Sequence, residues 1–497
     1  MKAGFRPSMA WLHSWAGLVI GWLLFAIAIT GTASVFKDEI SDWMRPEVTA
    51  HAPTVDALSA AFAHLGQAAP HAANWYLYAP DERSYATIAS YDTTGPNGEP
   101  TYKLEALDPV TGRPDRIRQT LGGEFFYRFH FELELPYPWG RILSSFAGMM
   151  MLIALLTGIV THRRIFADFF TFRPGKGKRS WLDAHNVLAV LPLPFHLMIT
   201  FTGILTLITL TFPWAMAANY GSDTARAFAE LAPGYYTRPR VDRPAPLGDV
   251  RAMLADAERR FDGGRIGSAS IDNPGDAGAV LQVVQHDGDQ IAYAPRSLAY
   301  DAATGRLLSA YTEARPAKKL YDTLYGLHMG RFGAPYVRWL YFLCGLALSA
   351  TILTGLILWT VSRPRGNSFG HRLVERLTIG AAGGLLPAVA AFFLANRLLP
   401  VGIADRADKE VWAFFATWAL GIVVGLACRP RSGWIGVFAL SVASWAAIPL
   451  VSWWAVGMPR EAIGCCVDLL SIAFALAGWA ALRRLRRKRL DRAGAPA

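Results

Sequence analysis

The chain has 497 residues and a formal net charge of +11, with 53% hydrophobic and only 18% charged residues. An ordinary soluble domain carries about 25% charged residues, so a disordered chain, a fibrous repeat and a typical cytosolic enzyme are excluded. The composition fits an integral membrane protein with sizeable polar insertions.

A bilayer-spanning helix needs roughly 20 mostly apolar residues. Eight stretches qualify: 9–36, 141–161, 185–212, 337–361, 373–399, 411–428, 434–456 and 463–482. The first is too long for a signal-peptide core and runs into Lys37–Glu39, which marks an uncleaved anchor. Basic residues precede the first span (Lys2, Arg6) and follow the second (Arg163, Arg164, Arg173, Lys176, Lys178, Arg179). They also follow the fourth (Arg363, Arg365, Arg372, Arg376), the sixth (Arg429, Arg431) and the eighth (Arg483 to Arg489). With eight spans these all fall on one side, so both termini are expected in the cytoplasm of a bacterial inner-membrane protein. The final Arg run abuts a span end and reads as a topogenic signal, not as a nucleic-acid patch.

The expected organisation is a first span within 1–36, an outer insertion over 37–140, a second span and a basic loop over 162–184. A third span, a second outer insertion over 213–336 and a fourth span follow. A four-span extension over 373–482 and a basic tail over 483–497 complete the chain. Each insertion mixes helix (54–65; 247–261) with strand (85–90 and 102–106; 279–285 and 297–300). Each also carries a hairpin signal, Asp108 to Gly112 and Asp301 to Gly305, in which Asp opens a turn and Gly supplies positive φ. The four cysteines, Cys344, Cys428, Cys465 and Cys466, lack zinc-site spacing and indicate neither a disulfide framework nor a structural metal. There is no GxGxxG, P-loop or serine elbow, so the chain carries no nicotinamide or flavin domain of its own.

The first four spans are a duplication. His13 precedes Thr30-Gly31 as His185 precedes Thr202-Gly203, and His130 and His328 precede the spans that reach Thr157-Gly158 and Thr354-Gly355. The fold class is therefore an all-α membrane bundle of about eight helices, the first four duplicated, with two α+β insertions. The last four spans stand outside the repeat and carry few ionisable residues. That scarcity argues against a transporter.

Six of the eleven histidines sit at span ends or within spans, and the other five lie on loops where solvated side chains are expected. Ionisable groups at membrane depth are costly and usually functional. His is a common axial ligand of haem, and bundle cores bind cofactors between facing helices. The repeat supplies an inner pair, His13 with His185, and an outer pair, His130 with His328. Without a Cys-x-x-Cys-His attachment motif, the expected cofactor is two b-type haems. His162 and His196 stand as alternative or additional ligands, with a third haem or a metal as a further option. On a continuous helix His196 would share a face with His185, about 16 Å along the axis. The late Thr-Gly pairs would let a macrocycle or a neighbouring helix approach the backbone. Arg163, Arg164 and Arg179 inside, and Arg128 and Arg331 outside, are candidate propionate partners. Six tryptophans of this region, Trp22, Trp43, Trp139, Trp214, Trp339 and Trp359, read mainly as an interfacial belt.

The run Thr161-His162-Arg163-Arg164 through Asp168-Phe169-Phe170 to Arg173-Pro174-Gly175-Lys176-Gly177, followed by Trp181 to Asn186 and Pro194-Phe195-His196, resembles the PepSY-associated transmembrane proteins. These are also called iron-regulated or iron-uptake membrane proteins. Trp11-Leu12-His13-Ser14-Trp15 and Leu327-His328-Met329-Gly330 match their other signatures, and the resemblance covers about residues 1–365. One branch is the inner-membrane siderophore reductases of the FoxB kind. The resemblance implies a dihaem core, PepSY-type periplasmic modules and reduction of ferric siderophore to release Fe(II). The four extra spans and Ala189, in place of a frequent Gly, depart from the family pattern. The function expected is electron transfer to a periplasmic ferric siderophore, from quinol or a cytoplasmic flavoprotein. The alternative is a non-redox PepSY anchor or sensor that regulates a peptidase or a transport partner.

Overall fold

The structure is a computed structural model that describes residues 4–94, 100–114, 116–162, 171–363, 368–459 and 461–493. Arg163, Arg164 and Arg365 lie outside the described residues. In chain order the elements are α1 (Phe5–Ser34), α2 (Lys37–Trp43), α3 (Thr54–Ala68), β1 (Asn74–Tyr78), β2 (Thr87–Thr94) and β3 (Pro100–Leu107). Next come α4 (Gly123–Glu132), α5 (Trp139–Thr161), α6 (Lys178–Val190) and α7 (Leu193–Thr206). Three short helices follow, α8 (Ile208–Thr211), α9 (Trp214–Tyr220) and α10 (Thr224–Leu231). Then α11 (Val250–Arg260), β4 (Ile266–Asp272), β5 (Val280–Gln285), β6 (Ser297–Asp301) and β7 (Leu307–Tyr311) lead to α12 (Pro316–Met329) and α13 (Pro335–Val361). The chain ends in α14 (Phe369–Leu377), α15 (Gly384–Leu398), α16 (Arg406–Ala427), α17 (Pro430–Val456) and α18 (Ala462–Ala493). It divides into two compact units: Met1–Met44 with Thr120–Ile204 and Trp339–Ala497, and Arg45–Gln119 with Leu205–Arg338.

In the helical unit, seven helices among the described residues are long and apolar enough to cross a membrane. The expected third span, 185–212, differs. It is a broken pair, α6 and α7, bent by 66°. The break falls at Leu191-Pro192, where proline has no N–H to donate and its ring clashes with the preceding turn. His185 and His196 therefore lie on different helices, and the shared face expected of a continuous span does not exist. The fifth span runs through α14 and α15 and includes a π-helical segment, Thr378–Gly383, upstream of Pro387 inside α15. Gly380 and Gly384 there meet Gly421 and Gly425 of α16. A Cβ on Gly425 would come within 2.6 Å of the Gly380 backbone, the close packing that small residues four apart permit.

The extension also holds buried charge, contrary to the sequence reading. Arg397, Arg406, Glu410 and Asp468 are all buried. Arg406 is paired with Glu410, and Asn396 donates to Glu410 Oε1 at 2.9 Å. Arg397 donates to Asn396 Oδ1 at 2.7 Å and to Ser452 Oγ at 3.1 Å. Trp453 Nε1 donates to Asp468 at 2.8 Å. Removing one partner of a buried pair of this kind typically costs about 3–5 kcal/mol. Trp43 is buried beneath Arg397, whose guanidinium lies 3.7 Å from the ring centre, so it is not an interfacial belt residue.

The second unit is built around one seven-stranded antiparallel sheet in the order β3-β2-β1-β4-β5-β6-β7. The two insertions do not form separate sheets. Each contributes a helix and a strand meander, and the meanders join edge to edge through β1 and β4, with Trp75 opposite Ile271 and Leu77 opposite Ala269. Alternate residues of the central strands turn inward against α3 and α11, burying Trp75, Leu77, Ile271, Leu281 and Val283 with Leu58, Phe62 and Leu254. Truncating a fully buried leucine such as Leu77 to alanine would cost about 2–5 kcal/mol. Both Asp-to-Gly turns form: Gly112 at φ 69° donates to Asp108 O, and Gly305 at φ 76° donates to Asp301 O. Only the second is a strand hairpin, joining β6 to β7, whereas no strand follows the first among the described residues. Strands β1, β4 and β7 were not expected. Asn74–Tyr78 is an aromatic run without clear alternation, and Ile266–Asp272 is built largely of small residues.

Candidate functional site

Three histidines are seated by one repeated device. His13 Nδ1 lies 2.8 Å from Ala154 O of α5. His185 Nδ1 lies 3.0 Å from Thr351 O of α13 and 3.2 Å from Thr354 Oγ1. His130 Nδ1 lies 2.7 Å from Ile27 O of α1. In each case a threonine three residues on, Thr157, Thr354 or Thr30, donates to the same carbonyl. In each case a glycine four residues on leaves room for the ring. A Cβ on Gly158 would sit 3.2 Å from His13 Cε1, one on Gly355 3.2 Å from His185 Cε1, and one on Gly31 2.5 Å from His130 Nδ1. The Thr-Gly pairs thus accommodate imidazoles against the backbone.

A carbonyl can only accept, so Nδ1 carries the proton in all three rings and the lone pair resides on Nε2. Metal-ligating histidines almost always donate their other N–H to a carbonyl or carboxylate, which fixes tautomer and orientation. The fourth copy of the frame is Ile199–Thr202–Gly203 on α7, where Thr202 Oγ1 lies 3.4 Å from Ile199 O. His328, the matching histidine of the repeat, lies near the end of α12 in the other unit.

The structure brings His13 and His185 together. Their ring centres are 6.2 Å apart with planes at 72°. That separation would leave room for one metal ion between two imidazoles bound through Nε2 by bonds of about 2 Å. Both rings line a cavity of about 360 Å³ with Gly158, Gly355, Leu356 and Arg363 at its walls. Cofactor sites are commonly mostly apolar clefts with a few convergent polar groups. The residues present therefore fit a bis-imidazole-ligated group at this place.

The two additional histidines are placed differently. His162 lines the same cavity, with Nε2 3.0 Å from Asn186 Nδ2 and a buried Nδ1 without a hydrogen bond. His196 is fully buried on α7, with Nε2 3.3 Å from Cys344 O. His196 is not among the cavity-lining residues and lacks the Thr-Gly seat. Two histidines expected to be solvated are not. His371 is buried beside Trp359. His286 accepts from Gly288 N at 3.0 Å and donates to Asp81 at 3.1 Å. Of the candidate propionate partners, Arg128 is paired with Glu132 at 2.9 Å and Arg331 with Asp287, while Arg179 is exposed. Arg363, which sequence reading used only for orientation, reaches the cavity wall and stacks 4.0 Å over Trp359. Asn186 was missed as a site feature and has no signal in the sequence, whereas the Thr-Gly pairs, expected to admit a macrocycle or a helix, seat imidazoles against helix carbonyls.

An uncharacterized protein of Pseudomonas aeruginosa is 26% identical to this chain over 293 residues, which are 56% of this chain and 73% of that protein. The family model described as the PepSY-associated TM region matches residues 10–362, which include every seated histidine and its frame. By that match the chain belongs to the PepSY-associated transmembrane family.

Proposed function

We propose that the protein is an inner-membrane dihaem b-type cytochrome that passes electrons outward to a ferric siderophore. The reading assigns His13 and His185 to one haem and His130 and His328 to the other. The observation that carries it is the His13–His185 pair, two imidazoles with Nδ1 committed to helix carbonyls and ring centres 6.2 Å apart on a shared cavity.

Each part of that arrangement serves ligation. The carbonyls of Ala154 and Thr351 hold the imidazoles as the Nε2-basic tautomer and restrain their rotation. Gly158 and Gly355 let the rings sit close against the helices. The cavity wall is mostly apolar, and Arg363 offers a cation at its edge for an anionic substituent. A haem held between two histidines supplies one-electron redox chemistry without an open site for substrate. The duplicated histidines at the opposite ends of the spans offer a second layer, so that charge would cross the bilayer by way of both. On this reading the basic loops stay in the cytoplasm with both termini, and the sheet-bearing unit belongs to the periplasm. There the unit is positioned to receive the chelate, with quinol or a flavoprotein as donor on the inner side.

Pyridine haemochrome analysis with protein quantitation tests this directly. Two haem b per chain, oxidised by ferric siderophore after reduction, is the expected result. A colourless protein would overturn the reading in favour of a non-redox anchor or sensor.

A further inference from the structure

Two helices of the extension, α15 and α16, close upon the element that carries His130. Helix α4 is short, yet Phe125, Phe126 and Phe129 on it are almost completely buried. Helices α1, α2 and α5 supply part of their cover, and the extension supplies the rest. Phe125 stacks on Phe392 at 4.8 Å between ring centres and meets Phe414 at 5.0 Å. Phe126 lies 5.7 Å from Phe393, and Phe129, adjacent to His130, packs 5.8 Å from Phe414 and 6.1 Å from Trp418.

A polar lock surrounds these rings. Thr120, just before α4, hydrogen-bonds to Glu410. Asn396 Nδ2 donates to Met44 O at 3.1 Å, and Arg397 Nη2 donates to Trp43 O at 2.7 Å. Helix α2, which ends at Trp43, touches α4 closely in turn: a Cβ on Gly123 would come within 2.1 Å of Lys37 O. Buried charges inside a membrane bundle are expensive and commonly serve a transport path. Here they are spent on backbone carbonyls and on one another, which fits a fastening and not a path.

We propose that the C-terminal extension is a positioning clamp for α4. In this assignment Phe392 and Phe414 form its apolar jaw, and Asn396, Arg397, Arg406 and Glu410 its polar latch. The clamp sets where the His130 imidazole stands over Gly31. This inference rests on the reading of His130 as a haem ligand for its functional meaning, but the mechanical link is independent of haem.

The test uses the full-length chain in lipid nanodiscs, prepared with and without haem. Hydrogen–deuterium exchange is measured for wild type, Phe414→Ala, Phe414→Leu, Glu410→Ala and Glu410→Gln. The two alanine variants should raise exchange of the α4 amides at least tenfold, with α5 and α13 unchanged. Leu at 414 and Gln at 410 should restore most of the protection. In haem-loaded protein, the alanine variants should lose or shift the α-band component that His130→Ala removes, and the His13–His185 component should keep its amplitude. Unaltered α4 exchange overturns the clamp, and so does equal acceleration across all spans. An α4-specific response in a protein that never binds haem supports the clamp while refuting the cytochrome reading, so the two failures are distinguishable.

Discussion

The duplicated first half of the helical unit holds half-buried histidines and the appended second half fully buried polar side chains, and the two halves use them differently. In the first half, His13 and His185 commit one ring nitrogen to a helix carbonyl and present their rings to a cavity. In the second, Glu410, Asn396, Arg397 and Arg406 engage one another and nearby carbonyls. A buried polar group with a valence left over beside a cavity is placed to bind something. A buried polar group whose valences are spent within the protein holds the fold in register. The distinction depends on hydrogen-bond accounting, not on the number of ionisable residues in a span.

The strongest way to break this comparison is to remove the histidines proposed as ligands. His13→Ala or His185→Ala should each abolish one of two haems and stop electron transfer from the inner side, as read by haemochrome content and by reduction of the remaining haem. His196→Ala should retain both haems, because His196 lies outside the cavity lining and no glycine seats its ring, although its buried Nδ1 has no hydrogen bond. Loss of a full haem on His196→Ala would place the ligand outside the seated set and undo the comparison.

A subtler test alters only the seats. At Gly31 an added Cβ would lie 2.5 Å from His130 Nδ1, whereas at Gly158 and Gly355 it would lie 3.2 Å from the nearest ring atom. Gly31→Ala should therefore displace its histidine, with roughly the 10- to 100-fold affinity loss typical of a damaged outer-shell contact. Gly158→Ala and Gly355→Ala should be milder, and Gly158→Val should approach the severity of Gly31→Ala. Haem retention during dilution measures all four. Equal effects at Gly31 and Gly158 would show that the seat does not control ligation.

The repeat, the seated histidines and most span positions were legible in the sequence because they rest on apolar length and on exact recurrence. His13 and His185 share one motif at one spacing, carried by a continuous helix in α1 and interrupted by the bend between α6 and α7. The break in the third span was less visible. Pro192 sits inside an otherwise apolar run, and counting apolar residues does not register a missing N–H. The buried latch of the extension was invisible for a related reason. Asn396, Arg397, Arg406 and Glu410 fall at span ends, where charge ordinarily meets water, and their burial comes from α2 and the segment before α4. The single sheet was hidden likewise, since β1 and β4 pair across almost 200 residues and neither has a strong alternating pattern.

The smallest predicted effect sharpens the comparison with a spent carboxylate outside the membrane-spanning helices. Glu313 is buried, accepts from Arg315 through both oxygens, and accepts from Tyr311 Oη at 2.7 Å. The Arg315 guanidinium holds its carboxyl well below the usual carboxylate range. Because the folded-state pKa is depressed, the stabilisation is present above the unfolded value of about 4.3. It is lost as the pH falls below that value toward the folded one. Glu313→Gln keeps an acceptor but removes the charge. It should cost about 1 kcal/mol at neutral pH, since Arg315 is 44% exposed and its attraction is screened. Thermal melts of the full chain at pH 7, 5 and 3 should show the gap between variant and wild type narrowing below pH 4.3. A gap that persists or widens in acid would mean that the carboxylate charge contributes nothing there, and that the hydrogen bonds alone fasten this loop.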